Sequence, residues 1–179
     1  SKNELIFIPL GGSGEIGMNC NLYHYQGSWI MIDLGVMFGN SAMSPNELIM
    51  PDLSFLQENK IKLSALILTH AHEDHIGAVP YLYYQLNNVP IFTTSFTASV
   101  LKRKFMSNDV KDYDIRLLDY NKQISIGEFV IEIFALTHSI PEPNAIILKT
   151  QKGNIFHTGD WKIDPDPLIG QPIDLEKLK

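Results

Sequence analysis

The stretch "ALILTHAHEDHIGAVPYL", residues 65–82, places three histidines and two carboxylates within six positions, directly after an apolar run. Its pattern is H-x-H-x-D-H over His70, His72, Asp74 and His75, and it is not the zinc motif H-E-x-x-H because Ile76 stands four positions after His72. Imidazole nitrogens and carboxylate oxygens suit zinc, and manganese less tightly. Four such groups in this pattern favour a metal site over the alternative of ordinary polar residues at a strand end.

The spacing of the cluster suggests how it divides between two cations. At the end of a strand, residues two apart point to the same side, so we expect His70 and His72 to bind one cation. The chain then turns into a helix, which brings Asp74 and His75 toward a second cation. Two cations about 3.5–4 Å apart form the two-metal site used on phosphoryl and carbonyl substrates.

One cluster cannot complete two metal sites, so ligands must come from elsewhere in the chain. His138 ends the apolar segment "FVIEIFALTH", Asp160 ends "NIFHTGD" and Asp33 ends "WIMID". We expect these three groups to converge with the cluster at one rim of a sheet. We expect His157, inside its strand, to be packed or to lie behind the ligands, and His24 to be a surface strand residue.

Apolar runs bounded by glycine, proline and polar residues predict the remaining elements. The predicted strands are 4–10, the short "NLYHY", 29–34, 64–69, "PIFTT", 115–119, 129–136, 144–150 and 154–158. The predicted helices are 76–86, with Pro80 in its first turn or so, and 95–106. Strands first, then strands mixed with helices, indicate a layered α/β fold rather than a simple doubly wound sheet.

The segment Gly12–Gly17, "GSGEIG", matches the dinucleotide-binding pattern G-x-G-x-x-G and follows a strand. That motif functions only when its last glycine opens a helix whose N-terminus holds the pyrophosphate. Here the chain continues in near alternation of aromatic and polar residues, which predicts a second strand, a turn at Gln26 and Gly27, and a third strand. A hairpin does not bind a dinucleotide in this way, so we reject that interpretation.

Composition sets the broad class. The chain has 179 residues, 45% of them hydrophobic, and a net charge of −6, which gives no overall attraction to nucleic acid. The single cysteine, Cys20, excludes an intramolecular disulfide and a multi-cysteine zinc site, and we expect a cytoplasmic location. No apolar run approaches the roughly 18 residues of a membrane span. The basic run Lys102, Arg103 and Lys104 is interpreted as the solvated face of a helix.

The order of Asp33, H-x-H-x-D-H, His138 and Asp160 resembles the metallo-β-lactamase superfamily. Longer segments are similar to the ribonuclease J family of β-CASP ribonucleases. These segments are "LGGSGEIGMN", "PDLSFLQEN", "LTHAHEDHIGAVPYL", "LTHSIPEPNAI" and "HTGDWKIDPDP". The resemblance covers nearly the whole chain, and "SIPEPN" has Glu142 where other members have aspartate.

The resemblance implies an α/β fold, the metallo-β-lactamase αββα four-layer sandwich, with two zinc ions at its rim. It assigns His70, His72 and His138 to the first metal and Asp74 and His75 to the second, with Asp160 bridging them. It also implies that Asp33 accepts a hydrogen bond from a ligand histidine and fixes its tautomer. The implied reaction is hydrolysis of an RNA phosphodiester by a hydroxide held between the metals, with Asp74 and Asp160 as catalytic residues that position it.

Members of that family are far longer, so we expect residues 1–179 to be one partial metallo-β-lactamase domain, truncated. The β-CASP domain, later fold elements and a final histidine ligand would be absent, which predicts weaker binding of the second metal. The expected partner is single-stranded RNA, with self-association or another chain covering exposed apolar surface. Two alternatives stay open, namely hydrolysis of β-lactams or other esters and amides at the same site, and an inactive binding module.

Overall fold

The structure, a computed structural model, describes residues 4–39 and 47–178, which form two large β-sheets packed face to face and a separate two-stranded sheet. The strands are β1 (Leu5–Gly11), β2 (Cys20–Tyr25), β3 (Ser28–Ile32), β4 (Met37–Phe38), β5 (Leu48–Ile49), β6 (Leu63–Ile67), β7 (Ile91–Thr93), β8 (Ile115–Leu117), β9 (Ile124–Ile126), β10 (Phe129–Ala135), β11 (Asn144–Thr150) and β12 (Gly153–His157). The helices are α1 (Ser54–Glu58), α2 (Glu73–Ile76), α3 (Val79–Leu82) and α4 (Ser95–Ser107), with 3₁₀ turns at Tyr83–Leu86 and Leu175–Leu178.

The two sheets differ in strand direction. The first has the order β1-β2-β3-β6-β7-β8, antiparallel from β1 to β3 and parallel from β3 to β8. The second has the order β12-β11-β10-β9 and is antiparallel throughout. Strands β3 and β6 of the first sheet are therefore parallel neighbours, and β10 and β12 of the second run in the same direction. Loops that follow parallel strands leave the same edge of a sheet, which is how residues far apart in sequence can meet.

The first sheet is covered by helices on one face and by the second sheet on the other, so the side chains on both of its faces are apolar. Along β3, Met31 packs toward the helices, whereas Ile30 and Ile32 pack against the second sheet. The core between the sheets receives Phe129, Ile131 and other residues of the second sheet. Burial of this alternating pattern fixes the register of the strands, since a shift by one residue would exchange the two faces.

The helices lie on the outer face of the first sheet. Helix α4 buries Thr97, Ala98, Leu101 and Phe105, which share one helical face. The outer face of the second sheet carries a smaller apolar cluster of Phe134, Leu136 and Ala145 with Ile147 and Ile173. The described residues thus form helix, sheet and sheet layers of the expected four-layer sandwich, and the part of the chain the structure describes contains no second helical layer.

The predicted helix over 76–86 is confirmed in part, because Val79 to Leu86 are helical with Pro80 in the first turn, but these residues do not form one continuous α-helix. A short helix, α2, begins earlier, at Glu73, and ends at Ile76; α3 then starts at Val79, and a 3₁₀ turn follows at Tyr83–Leu86. The break follows from Pro80, which lies in the first turn of α3, where its missing N–H needs no partner. The second predicted helix, 95–106, is confirmed as α4.

The predicted strands are confirmed, with ends that agree or differ by at most two residues. Residues 33–34 and 68–69, predicted as strand, lie beyond the ends of β3 and β6. The prediction missed β9, α1 and the short pair β4–β5. The predicted hairpin after Gly17 is confirmed, because β2 pairs antiparallel with β1 and β3, and Gln26 and Gly27 adopt φ values of 48° and 89° at its turn.

Among the described residues, no helix has the length and apolar character needed to span a membrane.

Candidate metal centre

Most of the predicted site residues lie in loops that follow four strands. Asp33 follows β3, His70 and His72 follow β6, His138 lies three residues after β10, and Asp160 lies three residues after β12. The strand β6 ends at Ile67, so the pairing of His70 with His72 is made by a loop and not by strand alternation, as the sequence had suggested. His72 is extended and immediately precedes helix α2, which carries Asp74 and His75.

Three histidines form a first set of possible ligands, the three-histidine group: His70, His72 and His138. The Nε2 atom of His70 lies 3.0 Å from Nδ1 of His72. The ring of His138 is centred 5.1 Å from that of His70 and 4.9 Å from that of His72. One ligand atom from each residue lies within 4.8 Å of the others, a spacing that one cation could bridge.

A second set, the mixed group, consists of His70, His75 and Asp160. The Nε2 atom of His75 lies 3.4 Å from Oδ1 of Asp160 and 3.6 Å from Oδ2 of Asp74. The other oxygen of Asp160, Oδ2, lies 3.7 Å from Nε2 of His138. The carboxylate of Asp160 therefore faces both groups, and His70 is common to them. Asp74 lies at the edge of the mixed group.

Asp33 is fully buried behind these ligands, with a left-handed φ of 62°. Its Oδ2 atom accepts hydrogen bonds from Nδ1 of His75 at 2.7 Å and from the Thr69 hydroxyl at 2.8 Å, and its Oδ1 accepts from the Thr69 amide at 2.8 Å. Because the Thr69 hydroxyl donates to Asp33, it can only accept from Nδ1 of His70, 3.0 Å away. One buried carboxylate thus orients His75 directly and His70 through Thr69, leaving Nε2 of each ring facing the centre.

The electrostatics separate these two neighbouring histidines. Burial, followed by the charge of His75, lowers the pKa of His70 to about 3. Burial also acts to lower the pKa of His75, but Asp33, Asp160 and Asp74 outweigh it and raise that pKa to about 10. The hydrogen bond from His75 lowers the pKa of Asp160 to about 2. The pKa of Asp33 lies below its ordinary value, since the charge and hydrogen bond of His75 outweigh the effect of burial.

Other residues of interest lie apart from the two groups. The Nδ1 atom of His157 forms a hydrogen bond with the Tyr23 hydroxyl, 2.9 Å away, and the side chain is packed as expected. His24 is half-buried against Trp29, with ring centroids 4.5 Å apart, so it is less exposed than predicted. Lys102 and Arg103 are exposed on α4, whereas Lys104 forms an ion pair with Glu73.

Sequence reasoning missed Asn19, whose side-chain amide donates to the Asp74 carbonyl at 3.1 Å and lies 3.2 Å from Nε2 of His75. It also missed Thr69 as the link between Asp33 and His70. Both are short polar residues without a charge or a metal-ligating nitrogen, and the only signal near Asn19 was the segment "LGGSGEIGMN" itself. The donor set of the whole centre, imidazole nitrogens with carboxylate oxygens, fits zinc or manganese.

The chain is similar to known proteins in both sequence and structure. A family described as Beta-lactamase superfamily domain matches residues 29–175. Ribonuclease J from Sinorhizobium meliloti is 42% identical over 98% of this chain, and ribonuclease J from Helicobacter pylori is 39% identical over 99% of it. The chain spans 32% and 26% of the lengths of those two relatives. The metallo-β-lactamase fold protein YhfI from Bacillus subtilis superposes with a TM-score of 0.63, at 17% identity, over 88% of this chain and 63% of YhfI.

Proposed function

The chain belongs to the β-lactamase superfamily, and on that premise we propose that it is a metal-dependent hydrolase that cleaves RNA phosphodiester bonds with two metal ions. His70, His72 and His138 would hold the first ion, and His75 and Asp74 the second, with Asp160 bridging them. The observation that carries the proposal is the position of Asp160, whose two oxygens face His75 at 3.4 Å and His138 at 3.7 Å. Zinc is the proposed metal, with manganese as the alternative.

The chemistry follows from the ligand arrangement. When bound, two cations supply Lewis acidity that activates water and offsets charge on phosphoryl oxygens. The side chains of Asp74 and Asp160 are 34% and 43% exposed, so they can reach a substrate or accept a proton from water. Asp33 has no exposure and cannot touch a substrate. Its proposed role is to fix the tautomers of His75 and His70.

RNA is the proposed substrate because the two relatives named above are ribonucleases. A hollow of about 270 Å³ opens beside the three-histidine group and is lined in part by His138, Ser139 and Lys162. The hydroxyl and ammonium groups there could contact a nucleotide next to the cleaved bond. Single-strand preference remains a prediction, and so does self-association, for which exposed Trp161 and Ile163 offer apolar surface.

Metal content measured on the purified chain tests the ligand assignment. We expect between one and two ions per wild-type chain. The variant His72→Ala should lose the tightly held ion, and Asp160→Ala should weaken both, whereas the matched controls His24→Ala and Asp112→Ala should bind as the wild type does. Unchanged metal content in both site variants would refute the assignment.

Activity assays test the reaction. A labelled single-stranded RNA should be cleaved, and a chelator should abolish cleavage. Nitrocefin turnover without RNA cleavage would instead favour β-lactam hydrolysis at the same site. Metal at both groups with neither activity would favour an inactive binding module.

A further inference from the structure

The loop between His138 and β11 contains a residue with an unusual backbone. Glu142 has a φ of 54°, in the left-handed region that residues other than glycine rarely adopt. Such a conformation persists only where surrounding contacts hold it. The side chain and the backbone carbonyl of Glu142 both make such contacts.

The carboxylate of Glu142 caps helix α4 from outside the helix. It accepts a hydrogen bond from the Phe96 amide at 2.8 Å and from the Ser95 hydroxyl at 3.1 Å. Thr94, the residue at the N-cap of this 13-residue helix, makes no side-chain cap of its own. A negative charge at this end also interacts favourably with the helix dipole. Glu142 therefore ties the His138 loop to α4.

The backbone on the other side of Glu142 is tied to the loop that follows β6. Asn144, which is buried, donates from its side-chain amide to the Thr69 carbonyl at 2.5 Å and to the Glu142 carbonyl at 3.4 Å. The backbone amide of Asn144 also donates to the Thr69 carbonyl, at 3.3 Å. Thr69 directly precedes His70. The loop is thus held at two points, one on α4 and one next to a member of the three-histidine group.

We propose that Glu142 is a positioning residue that sets where His138 lies relative to His70 and His72. The inference rests on the metal centre of the proposed function. Its consequence is selective, because His138 belongs to the three-histidine group and not to the mixed group. Removing the carboxylate should therefore weaken one metal site and spare the other.

The test measures metal affinity group by group in the 179-residue chain. A His75→Ala background leaves only the three-histidine group to titrate with Zn²⁺, and a His72→Ala background leaves the mixed group. In the first background, Glu142→Ala should lower the affinity about tenfold, the lower end of the loss seen when a direct hydrogen bond to a ligand is removed, because Glu142 acts on His138 through the loop. In the second, the change should stay within about twofold. Glu142→Gln, whose amide oxygen can still accept from Phe96, should recover most of the loss.

Two controls separate positioning from folding. Glu58→Ala, at an exposed position on α1, should change neither affinity. Glu142→Gly removes the carboxylate but suits the left-handed backbone, so it should fold even where Glu142→Ala does not, and it should show the same selective loss. Equal loss in both backgrounds, or a lower melting temperature with both affinities intact, would overturn the proposal. Absence of metal binding in both parent backgrounds would instead count against the proposed function.

Discussion

The three-histidine group and the mixed group share His70 but have different surroundings. The former includes His138, which lies on a loop held by Glu142 and Asn144 and is 20% exposed in its side chain. The latter is backed by Asp33, which is fully buried, and includes a carboxylate of its own. A dication in the mixed group would lie close to the carboxylates of Asp160 and Asp74, whereas one in the three-histidine group would be bound by neutral imidazoles with Asp160 at its edge. Two adjacent sites in one fold can therefore differ in how they respond to mutation and to pH.

The largest expected effect comes from Asp33→Ala, which removes the support of the mixed group. It removes the carboxylate nearest to the buried His75, and breaking a buried ion pair costs about 3–5 kcal/mol of unfolding free energy. The affinity of the mixed group for metal should also fall about 10- to 100-fold. Denaturant unfolding and metal titration measure the two effects.

The matched control for this change is Asp112→Ala, since Asp112 is exposed. It should alter the unfolding free energy by no more than about 0.5 kcal/mol. If Asp33→Ala lowered the metal affinity of the three-histidine group more than that of the mixed group, the assignment of Asp33 as the support of the mixed group would be wrong.

Gly35→Ala should produce the next largest effect. A Cβ atom at Gly35 would lie 1.7 Å from the Asp74 carbonyl oxygen and 2.7 Å from the His75 amide nitrogen, both backbone atoms. Helix α2 would have to move, at a cost of about 1–3 kcal/mol, and the mixed group should lose affinity while the three-histidine group keeps it. Thermal unfolding and metal titration in the two single-group backgrounds measure this.

Gly14→Ala serves as the comparison for that variant. A Cβ atom at Gly14 would meet nothing within 4 Å, but the φ of +80° is unfavourable for alanine. The variant therefore measures the effect of backbone strain alone. We expect it to lower stability without changing either metal affinity. Loss of mixed-group affinity in Gly14→Ala would show that strain, and not the contact with α2, explains the result.

The two groups should also differ in pH dependence. Since the pKa of His75 is raised to about 10 in the metal-free chain, a metal entering the mixed group at pH 7 must displace its proton. Affinity there should rise about tenfold per pH unit between pH 6 and 9. His70 and His138 have lowered pKa values and are neutral at pH 7, so binding at the three-histidine group should depend less on pH. Calorimetry in buffers of different ionisation enthalpy counts the protons released.

The same pair predicts the stability of the metal-free chain. A raised pKa at His75 means that its contribution is fully present below the ordinary value of 6.5 and is lost as the pH rises through about 10. A lowered pKa at Asp33 means that its contribution is present above 3.8 and is lost as the pH falls further. Stability from this pair should therefore be greatest between these two ordinary values. A stability that keeps rising from pH 7 to 10 would contradict the assignment of charge.

The smallest effect is expected at the surface pair of Lys104 and Glu73, whose side chains are 24% and 50% exposed. Lys104→Gln should change the unfolding free energy by less than about 1 kcal/mol, because exposed ion pairs contribute little. Lys102→Gln, on the exposed neighbour, provides the control. A loss as large as that of Asp33→Ala would remove the contrast between buried and surface pairs.

Much of the centre was predictable from the residues themselves. His70, His72, Asp74 and His75 lie within six positions, so a local pattern was enough to identify them. His138, Asp160 and Asp33 could be predicted because each follows an apolar strand, and strand ends are where α/β folds place their sites. The break in the predicted helix 76–86 shows the limit of such patterns. The apolar spacing continues through Pro80, but the helical hydrogen bonds cannot, because proline has no backbone N–H to donate.

By itself, the sequence determined the candidate ligand types and the strands that precede them, since these depend on local composition and spacing, and its longer motifs carried the resemblance to the superfamily. The spacing and the resemblance already led us to expect two sets of candidate ligands with Asp160 between them, and only the tertiary structure revealed that the two sets share His70. It alone revealed the contacts from Thr69, Asn19 and Glu142, because a hydrogen bond across 46 or 55 positions leaves no periodicity in the chain. Such contacts depend on how strands and loops meet in space, which is set by the packing of both sheets together.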